Sequence, residues 1–210
     1  MLIKENQRIV FAGDSITDDG RKRPIGEGLW GGTGNGYVRM VETFLAVDYP
    51  ELNVRCTNMG EAGNTSADLL ERWDRDVNGL KPDIVVLNIG VNDVWRQFDC
   101  PGFPDYAVSP KEYEANLNKM ADKTSAKQIW LTPYYLETNR ADSMRARMDE
   151  YGAIMKKVAA QRGIPCIDLQ KEFDKFLQHR YPAFITWDRV HPGWTGSLII
   201  TRALLKQLTL

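Results

Sequence analysis

The chain has few of the side chains that bind metals or form disulfide frameworks. Its 210 residues include only two histidines and three cysteines, with neither a Cys-x-x-Cys pair nor a His-Glu-x-x-His motif. On the usual ligand spacings a zinc site is therefore excluded. The three cysteines, Cys56, Cys100 and Cys166, lie far apart, which is typical of reduced thiols in a cytoplasmic protein.

An excess of charge of one sign is also missing. Lys and Arg total 27 and Asp and Glu total 28, so the net charge is −1 and a general nucleic-acid binder is not expected. Apolar runs such as 84–91 are far shorter than the about 20 residues that span a bilayer. The N-terminal apolar run begins only at Ile9 and ends in a charged motif, so we expect neither a signal peptide nor membrane association.

The composition is that of a globular protein. Apolar residues make up 43% and charged residues 26% of the chain, which excludes a disordered or fibrous protein. The length is enough to bury a sizeable core and is typical of one domain, predicted to span residues 1–210.

Strand-like and helix-like patterns alternate along the chain. Strands are predicted at 8–13, 53–58, 83–90, 127–132 and 164–169, and helices at 37–47, 66–78, 111–123, 143–162 and 194–208. Pro165 favours an edge position for the last strand, because proline cannot donate to a strand ladder. The alternation predicts an α/β fold with a five-stranded parallel sheet and a helix layer on each face.

Polar residues follow most of the predicted strands. Ser15 comes after the first strand, Gly63 after the second and Asn92 after the third, while Asp188 and His191 lie in the last loop before the C-terminal helix. Because the carboxyl ends of parallel strands share one edge of the sheet, we expect a site there.

These residue types are suited to acyl transfer by serine, which needs a nucleophile, a base, an orienting carboxylate and donors to an oxyanion. His191 follows Asp188 by three residues, with Pro192 behind it, whereas His179 has no motif carboxylate nearby. Asn92 and the backbone amides of Ser15 and Gly63 are candidate oxyanion donors. Each residue alone has a plainer explanation, such as a helix cap or a turn glycine. Their occurrence at successive strand exits favours catalysis.

Tryptophans in or beside these loops are candidate sugar contacts. We predict that Trp95 and Trp187 bind substrate, because indole rings can cover the apolar faces of sugars. Trp30 and Asp14 are included with them as predicted substrate-binding residues, although Trp30 and Trp194 fit a core or the interface of a homo-oligomer equally well.

Two long loops are expected to shape the mouth of the site. Residues 20–36 include seven glycines and a basic triplet, 21–23, near their start. The triplet could meet acidic groups on a partner or substrate, but a solvated surface is favoured. Residues 98–110 include three prolines. Long loops in a compact domain are usually functional or interfacial.

The motif residues resemble a known family. The four sequence blocks of the SGNH (GDSL-type) hydrolases are matched in order by GDSIT at 13–17, NMGEAGNT at 58–65, GVND at 90–93 and DRVHP at 188–192. The resemblance implies a flavodoxin-like three-layer α/β/α sandwich. It also implies Ser15 as nucleophile, His191 as base, Asp188 as its orienter, and Ser15, Gly63 and Asn92 as oxyanion donors.

A closer resemblance extends over most of the chain. Bacterial intracellular acetylxylan esterases are similar in the stretches FAGDSITDDGR, GTGNGYV, GVNDVWRQFD and TWDRVHP. This implies removal of O-acetyl groups from short acetylated sugars such as xylo-oligosaccharides, without a metal or organic cofactor. A short-chain lipase or thioesterase on the same scaffold, or a sugar-binding module that has lost catalysis, are the alternatives.

Overall fold

The computed structural model describes residues 2–28, 30–99 and 107–209. Its centre is a parallel sheet with the strand order β2-β1-β3-β4-β5. The strands are β1 Arg8–Gly13, β2 Arg55–Gly60, β3 Ile84–Asn88, β4 Lys127–Leu131 and β5 Cys166–Ile167. The predicted five-stranded parallel sheet is confirmed, and the switch in strand order falls between β1 and β3, where a doubly wound sheet opens its crevice.

Helices cover both faces of the sheet. They are α1 Ser15–Asp18, α2 Tyr37–Asp48, α3 Ser66–Asp76, α4 Val91–Asp99, α5 Pro110–Lys123, α6 Ser143–Gln161, α7 Leu169–Leu177 and α8 Gly193–Thr209. On one face α8 packs against α2 and α7, and on the other α5 packs between α3 and α6. The predicted α/β/α sandwich is confirmed, and the wholly buried side chains of β3 explain its unbroken apolar run.

The strands that carry the site end at the same level. Gly13 of β1 lies opposite Gly60 of β2 and opposite Asn88 of β3. A Cβ atom at Gly13 would collide with the Thr17 side chain, and one at Gly60 would collide with the Asp18 backbone. Glycine at both strand ends therefore lets α1 lie directly across the sheet edge.

The last strand is shorter than the predicted segment 164–169. Only Cys166–Ile167 pairs with β4, at the edge of the sheet as expected. Pro165 contributes a carbonyl to Trp130 but has no N–H to donate, and Asp168 already caps α7 by accepting from the Lys171 amide.

Helix α4 corrects the view of the third strand exit as a loop. Val91 and Val94 are buried one turn apart, so the segment after β3 continues as a helix on the sheet edge. Of the predicted loop 98–110, Phe98 and Asp99 belong to α4 and Pro110 begins α5, while 100–106 lie outside the described residues.

Two cysteines are described, and both are free thiols. Cys56 is buried and Cys166 half-buried, and burial raises the pKa of each thiol well above its usual range. This agrees with packing rather than nucleophilic roles, while Cys100 lies outside the described residues. No helix in the described part of the chain has the length and apolarity needed to cross a membrane.

Candidate active site

The side chains of Ser15, His191 and Asp188 form a continuous hydrogen-bonded chain. Ser15 Oγ lies 2.8 Å from His191 Nε2, and His191 Nδ1 lies 2.5 Å from Asp188 Oδ2. Because Nδ1 faces a carboxylate, the neutral ring carries its proton there, which leaves Nε2 to accept a proton from the serine. Ser15 of the first strand exit therefore meets Asp188 and His191 of the last loop in the geometry of a nucleophile, a base and an orienter.

Local contacts fix the Asp188 carboxylate. Its Oδ1 accepts hydrogen bonds from the amides of Val190 and His191, each 2.9 Å, and from the Thr186 hydroxyl, also 2.9 Å. Burial alone would raise the pKa of Asp188, but the hydrogen bonds from His191, Val190 and Thr186 outweigh it and lower the pKa below its usual value. The group that orients His191 is thus held as a carboxylate.

The loop that carries this pair is anchored to the segment after β4. Arg189 adopts a left-handed conformation with φ 66°, and its carbonyl accepts from the Leu136 amide at 2.9 Å. Its guanidinium pairs with Glu137 at 2.6 Å. The strained backbone at Arg189 is therefore held on both sides, which positions Asp188 and His191 against Ser15.

Asp14 has a structural role, which corrects its prediction as a substrate contact. Its side chain is 1% exposed and caps α1 by accepting from the Ile16 amide at 3.0 Å. Burial, together with the negative charge of Asp93, raises the pKa of Asp14 to about 7. As the N-cap of α1, the buried Asp14 side chain helps to position Ser15, the first residue of that helix. Almost none of its surface is accessible to a ligand.

The candidate oxyanion donors lie on α1, on the turn after β2 and on α4. Among the described residues none accepts a hydrogen bond from the backbone amide of Ser15 or of Gly63, and Gly63 is exposed with φ 82°. Asn92 is buried, and its Nδ2 donates to the Asn64 carbonyl at 2.9 Å. Asn92 thus has one amide hydrogen engaged in holding the turn of Gly63 and a second one left for an oxyanion.

A cavity of about 380 Å³ opens beside the serine and the histidine. Its wall combines the apolar side chains of Ile16 and Ile185 with Asp19 and Trp187. Such a mixture of apolar wall and few polar groups is typical of a small-molecule site.

The four tryptophans near the motifs occupy different positions. Trp187 is 88% exposed and lines the cavity, whereas half-buried Trp95 packs on His191 with ring centroids 6.0 Å apart. Trp30 is 87% exposed and Trp194 76% exposed, and neither is among the residues that line this cavity. A substrate contact by Trp30 therefore stays a prediction, without support from its position.

The loop 20–36 contains a buried cation that the sequence did not reveal. Arg21 is 6% exposed and donates from Nε to the Gly60 carbonyl at 2.6 Å. Lys22 and Arg23 are exposed, so the expectation of a solvated surface is wrong for Arg21 alone. Arg23 donates to Asp18 at 2.7 Å and to Glu61 at 3.2 Å. Asp18 ends α1 and Asp19 directly follows it, and the motif patterns alone assign no role to either residue.

His179 lies just beyond α7 and is exposed. Its described hydrogen bond runs from the backbone amide to the Phe176 carbonyl, and its ring pairs with no described carboxylate. The structure therefore brings His191 and not His179 to the serine.

Comparisons with known proteins agree with this geometry. Residues 11–198 match the model of the GDSL-like Lipase/Acylhydrolase family. An acetylxylan esterase from Geobacillus stearothermophilus is 44% identical over 211 residues, covering 99% of this chain and 96% of that protein.

Solved structures are equally similar. The crystal structure of Axe2, an acetylxylan esterase from G. stearothermophilus, matches with a TM-score of 0.98 at 44% identity, over 100% of this chain and 97% of that one. LAE5, an alpha/beta hydrolase from the metagenome of Lake Arreo in Spain, matches with a TM-score of 0.94 at 46% identity, over 99% and 97%. Catalytic mutants of Axe2 with a serine, an aspartate or a histidine replaced by alanine have the same fold, each with a TM-score of 0.98.

Proposed function

Since the chain belongs to the GDSL-like lipase/acylhydrolase family, we propose that it is a serine esterase that removes O-acetyl groups from acetylated carbohydrates, chiefly short xylo-oligosaccharides. The observation that carries the proposal is the hydrogen-bonded series from Ser15 Oγ through His191 to Asp188, with distances of 2.8 and 2.5 Å. We also propose that residues 1–210 act as a single catalytic domain.

In the acylation step Ser15 Oγ attacks the acetyl carbonyl carbon while His191 Nε2 takes the hydroxyl proton. The imidazolium that forms is stabilised by Asp188, whose lowered pKa keeps it charged. The carbonyl oxygen gains negative charge and is held by the amides of Ser15 and Gly63 and by Asn92 Nδ2. The tetrahedral intermediate then collapses as His191 returns the proton to the sugar oxygen, which leaves as an alcohol.

In the deacylation step a water molecule takes the place of the sugar. His191 accepts its proton as the water oxygen attacks the acetyl-serine, and the same donors hold the second oxyanion. Collapse expels Ser15, which regains its proton from His191, and acetate leaves. The described side chains supply each proton transfer in the cycle.

The neighbourhood of the serine suits a sugar leaving group. Trp187 presents an exposed indole ring at the cavity wall, where it can cover the apolar face of a pyranose. The similarity to an acetylxylan esterase over 99% of the chain supports acetylated xylose units as the substrate class.

We further propose that the protein works in the cytoplasm as a homo-oligomer. The free thiols of Cys56 and Cys166 suit a reducing compartment. Large aromatic side chains are exposed near the cavity, with Tyr181 at 72% and Trp194 at 76%, and such patches often mark subunit interfaces. Light scattering on the purified protein tests the oligomer, and a monomer at all concentrations contradicts it.

Acetate release from O-acetylated xylo-oligosaccharides tests the proposed activity. We expect turnover by the wild type and a loss of about 10⁴–10⁶ in kcat for Ser15→Ala, the size seen when a serine triad is broken. Ser143→Ala is the matched control, because Ser143 is also the first residue of a helix but is exposed and does not line the cavity. If Ser15→Ala keeps more than about a tenth of wild-type activity, Ser15 is not the nucleophile.

A further inference from the structure

Asp19 lies at the active-site cavity but takes no part in the steps above. It directly follows α1 and lines the same cavity as Ser15 and His191. Among the residues described as lining this cavity it is the one acidic side chain. This carboxylate lies at the same cavity as Ser15 but does not belong to the hydrogen-bonded series of Ser15, His191 and Asp188. It is therefore a candidate for a separate function.

The backbone around Asp19 is built to hold this position. Asp19 adopts the left-handed conformation, with φ 35° and ψ 48°, and its amide donates to the Ser15 carbonyl at 3.1 Å. Its own carbonyl accepts from the Asn35 amide at 2.8 Å. Asp and Asn adopt this region more readily than other non-glycine residues, and the two hydrogen bonds fix Asp19 in it.

A glycine makes room for the carboxylate. A Cβ atom at Gly36 would lie 2.5 Å from Asp19 Oδ2 and 3.0 Å from Asp19 Cβ. Any larger residue at Gly36 would therefore push the Asp19 side chain out of its place. The loop 20–36 therefore approaches the carboxylate closely at Gly36, and Asp19 lines the cavity.

The carboxylate is also left without partners. In the described part of the chain no Lys, Arg or His pairs with Asp19, and no group donates a hydrogen bond to its carboxylate oxygens, whereas the adjacent Asp18 is paired with Arg23. Asp19 is an exposed residue. Desolvation by the surrounding protein raises the pKa of its carboxyl, while the nearby charge of His191 lowers it. An unpartnered acceptor at a ligand cavity is available to a ligand's donors.

We propose that Asp19 is a specificity-determining residue for the leaving group: its carboxylate accepts hydrogen bonds from hydroxyl groups of a neutral sugar and repels negatively charged esters. An ionised carboxylate is an acceptor only, so it matches hydroxyl donors and opposes anions. The other wall residues include the apolar Ile16 and Ile185, and the Thr186 hydroxyl already donates to Asp188. The proposal rests on the esterase activity proposed above and names the chemistry that selects its substrate.

The variant Asp19→Asn tests this with little change of shape. Asn is among the residues that tolerate the left-handed conformation, so the backbone is preserved while the charge is removed. Three substrates are compared at pH 8 and low ionic strength: phenyl acetate, 4-carboxyphenyl acetate and an O-acetylated xylobiose. The two phenyl esters share one acyl group and differ in a single negative charge on the leaving group.

For Asp19→Asn we expect kcat/KM for 4-carboxyphenyl acetate, relative to phenyl acetate, to rise about tenfold, the size expected for removing one charge at a partly solvated site. The rise should shrink as salt is added. We expect kcat/KM for the acetylated xylobiose to fall about tenfold more than that for phenyl acetate, because a hydrogen-bond acceptor for the sugar is weakened. Any general effect on His191 cancels in the ratio of the two phenyl esters, since both expel a phenolate in the same chemical step. The sugar ratio also depends on the proton that His191 returns to the sugar oxygen.

Asp48→Asn is the control for net charge, because Asp48 is an exposed aspartate at the end of α2 and does not line the cavity. It should leave both ratios as in the wild type. If the wild type deacetylates the xylobiose and both ratios are unchanged in Asp19→Asn, the proposal for Asp19 is overturned and the esterase proposal stands. If the wild type acts on the phenyl esters but not on the sugar, the proposed substrate is wrong. The ratio of kcat/KM for 4-carboxyphenyl acetate to that for phenyl acetate then tests by itself whether Asp19 repels anionic esters.

Discussion

Asp18 Oδ2 accepts a hydrogen bond from the backbone amide of Ala62 at 3.3 Å. Asp18 ends the short helix that Ser15 begins, and Ala62 directly precedes Gly63. The nucleophile and a candidate oxyanion amide are therefore joined through one carboxylate. Arg23 strengthens the link by donating to Asp18 from the loop 20–36.

Removing this link should misplace the oxyanion donor. We expect Asp18→Ala to lower kcat by about 10–10²-fold with a smaller change in KM, because a small displacement of a donor acts mainly on the transition state. Asp18→Asn keeps one acceptor oxygen and should lose less. Arg75→Ala removes a pairing with Asp76 from a largely exposed arginine and should leave kcat as it is. Steady-state kinetics on phenyl acetate decide, and a rise in KM alone would contradict the positioning role.

The two histidines provide an internal comparison. His191→Ala should lose about 10⁴–10⁶ in kcat, since the proton acceptor of Ser15 is removed, whereas His179→Ala should be close to wild type. Both variants should show wild-type circular dichroism, because each side chain is at least partly exposed. The reverse pattern of activities would exclude His191 as the base.

Asn92 should act on both catalysis and stability. We expect Asn92→Ala to lower kcat by about 10²–10³-fold, the usual effect of deleting an oxyanion donor. Loss of its hydrogen bond to the Asn64 carbonyl should also lower the free energy of unfolding by about 1 kcal/mol. Asn118→Ala removes a comparable bond, 2.8 Å to the Glu114 carbonyl, without touching the site. A change in KM without a change in kcat would make Asn92 a ground-state contact.

The parallel sheet and the meeting of Ser15 with Asp188 and His191 were predictable because they depend on local patterns. Gly13 at the end of β1 and the apolar run of β3 mark the strands, and a parallel sheet brings its carboxyl ends together. The spacing of Asp188 and His191 likewise predicted a contact that spans only three residues.

Contacts between distant segments were not predictable. The pKa of buried Asp14 is raised in part by the negative charge of Asp93 in α4, a helix whose start looks like a loop motif. The hydrogen bond from Arg21 to the Gly60 carbonyl joins residues 39 positions apart. The basic triplet in the sequence gives no indication of this contact. The periodicity of apolar residues in a sequence indicates which face of a helix or strand is buried. It does not indicate which charged residues form contacts between distant segments.

The burial of Asp14 predicts how the stability of the protein depends on pH. Its pKa is raised to about 7 by burial, so the folded protein binds a proton that the unfolded chain, with an ordinary carboxyl, releases near pH 4. The folded state then holds more protons between about pH 4 and 7, and stability falls as the pH rises through that window.

The variant Asp14→Asn should remove this contribution while keeping the cap on α1, since Asn also accepts at that position. Urea unfolding at pH 5, 6 and 7 should show the wild type losing stability relative to Asp14→Asn by up to about 1 kcal/mol per pH unit. Parallel curves for the two proteins would show that Asp14 has an ordinary pKa in the fold.

The acyl group should be short. The cavity beside Ser15 and His191 measures about 380 Å³ and must hold both the acyl group and part of the leaving group. Part of the loop 20–36 is tied down by buried Arg21, and no helix in its described residues forms an amphipathic lid. A lipase binds the long acyl chain of its substrate on a broad apolar surface. Here each methylene group that exceeds the volume of the cavity would overlap with the atoms of its wall.

We therefore expect kcat/KM for phenyl esters to fall from acetate to butyrate to octanoate, by about 10²-fold or more overall, since one misfitting methylene costs about 1–3 kcal/mol. Trp187→Ala should impair an acetylated xylo-oligosaccharide more than phenyl acetate, because the exposed ring at the cavity wall covers the sugar. Trp194→Ala removes a similarly exposed ring that does not line the cavity, and it should leave that ratio unchanged. Octanoate turned over as fast as acetate, with no acetate released from the sugars, would instead identify a lipase or thioesterase on this scaffold.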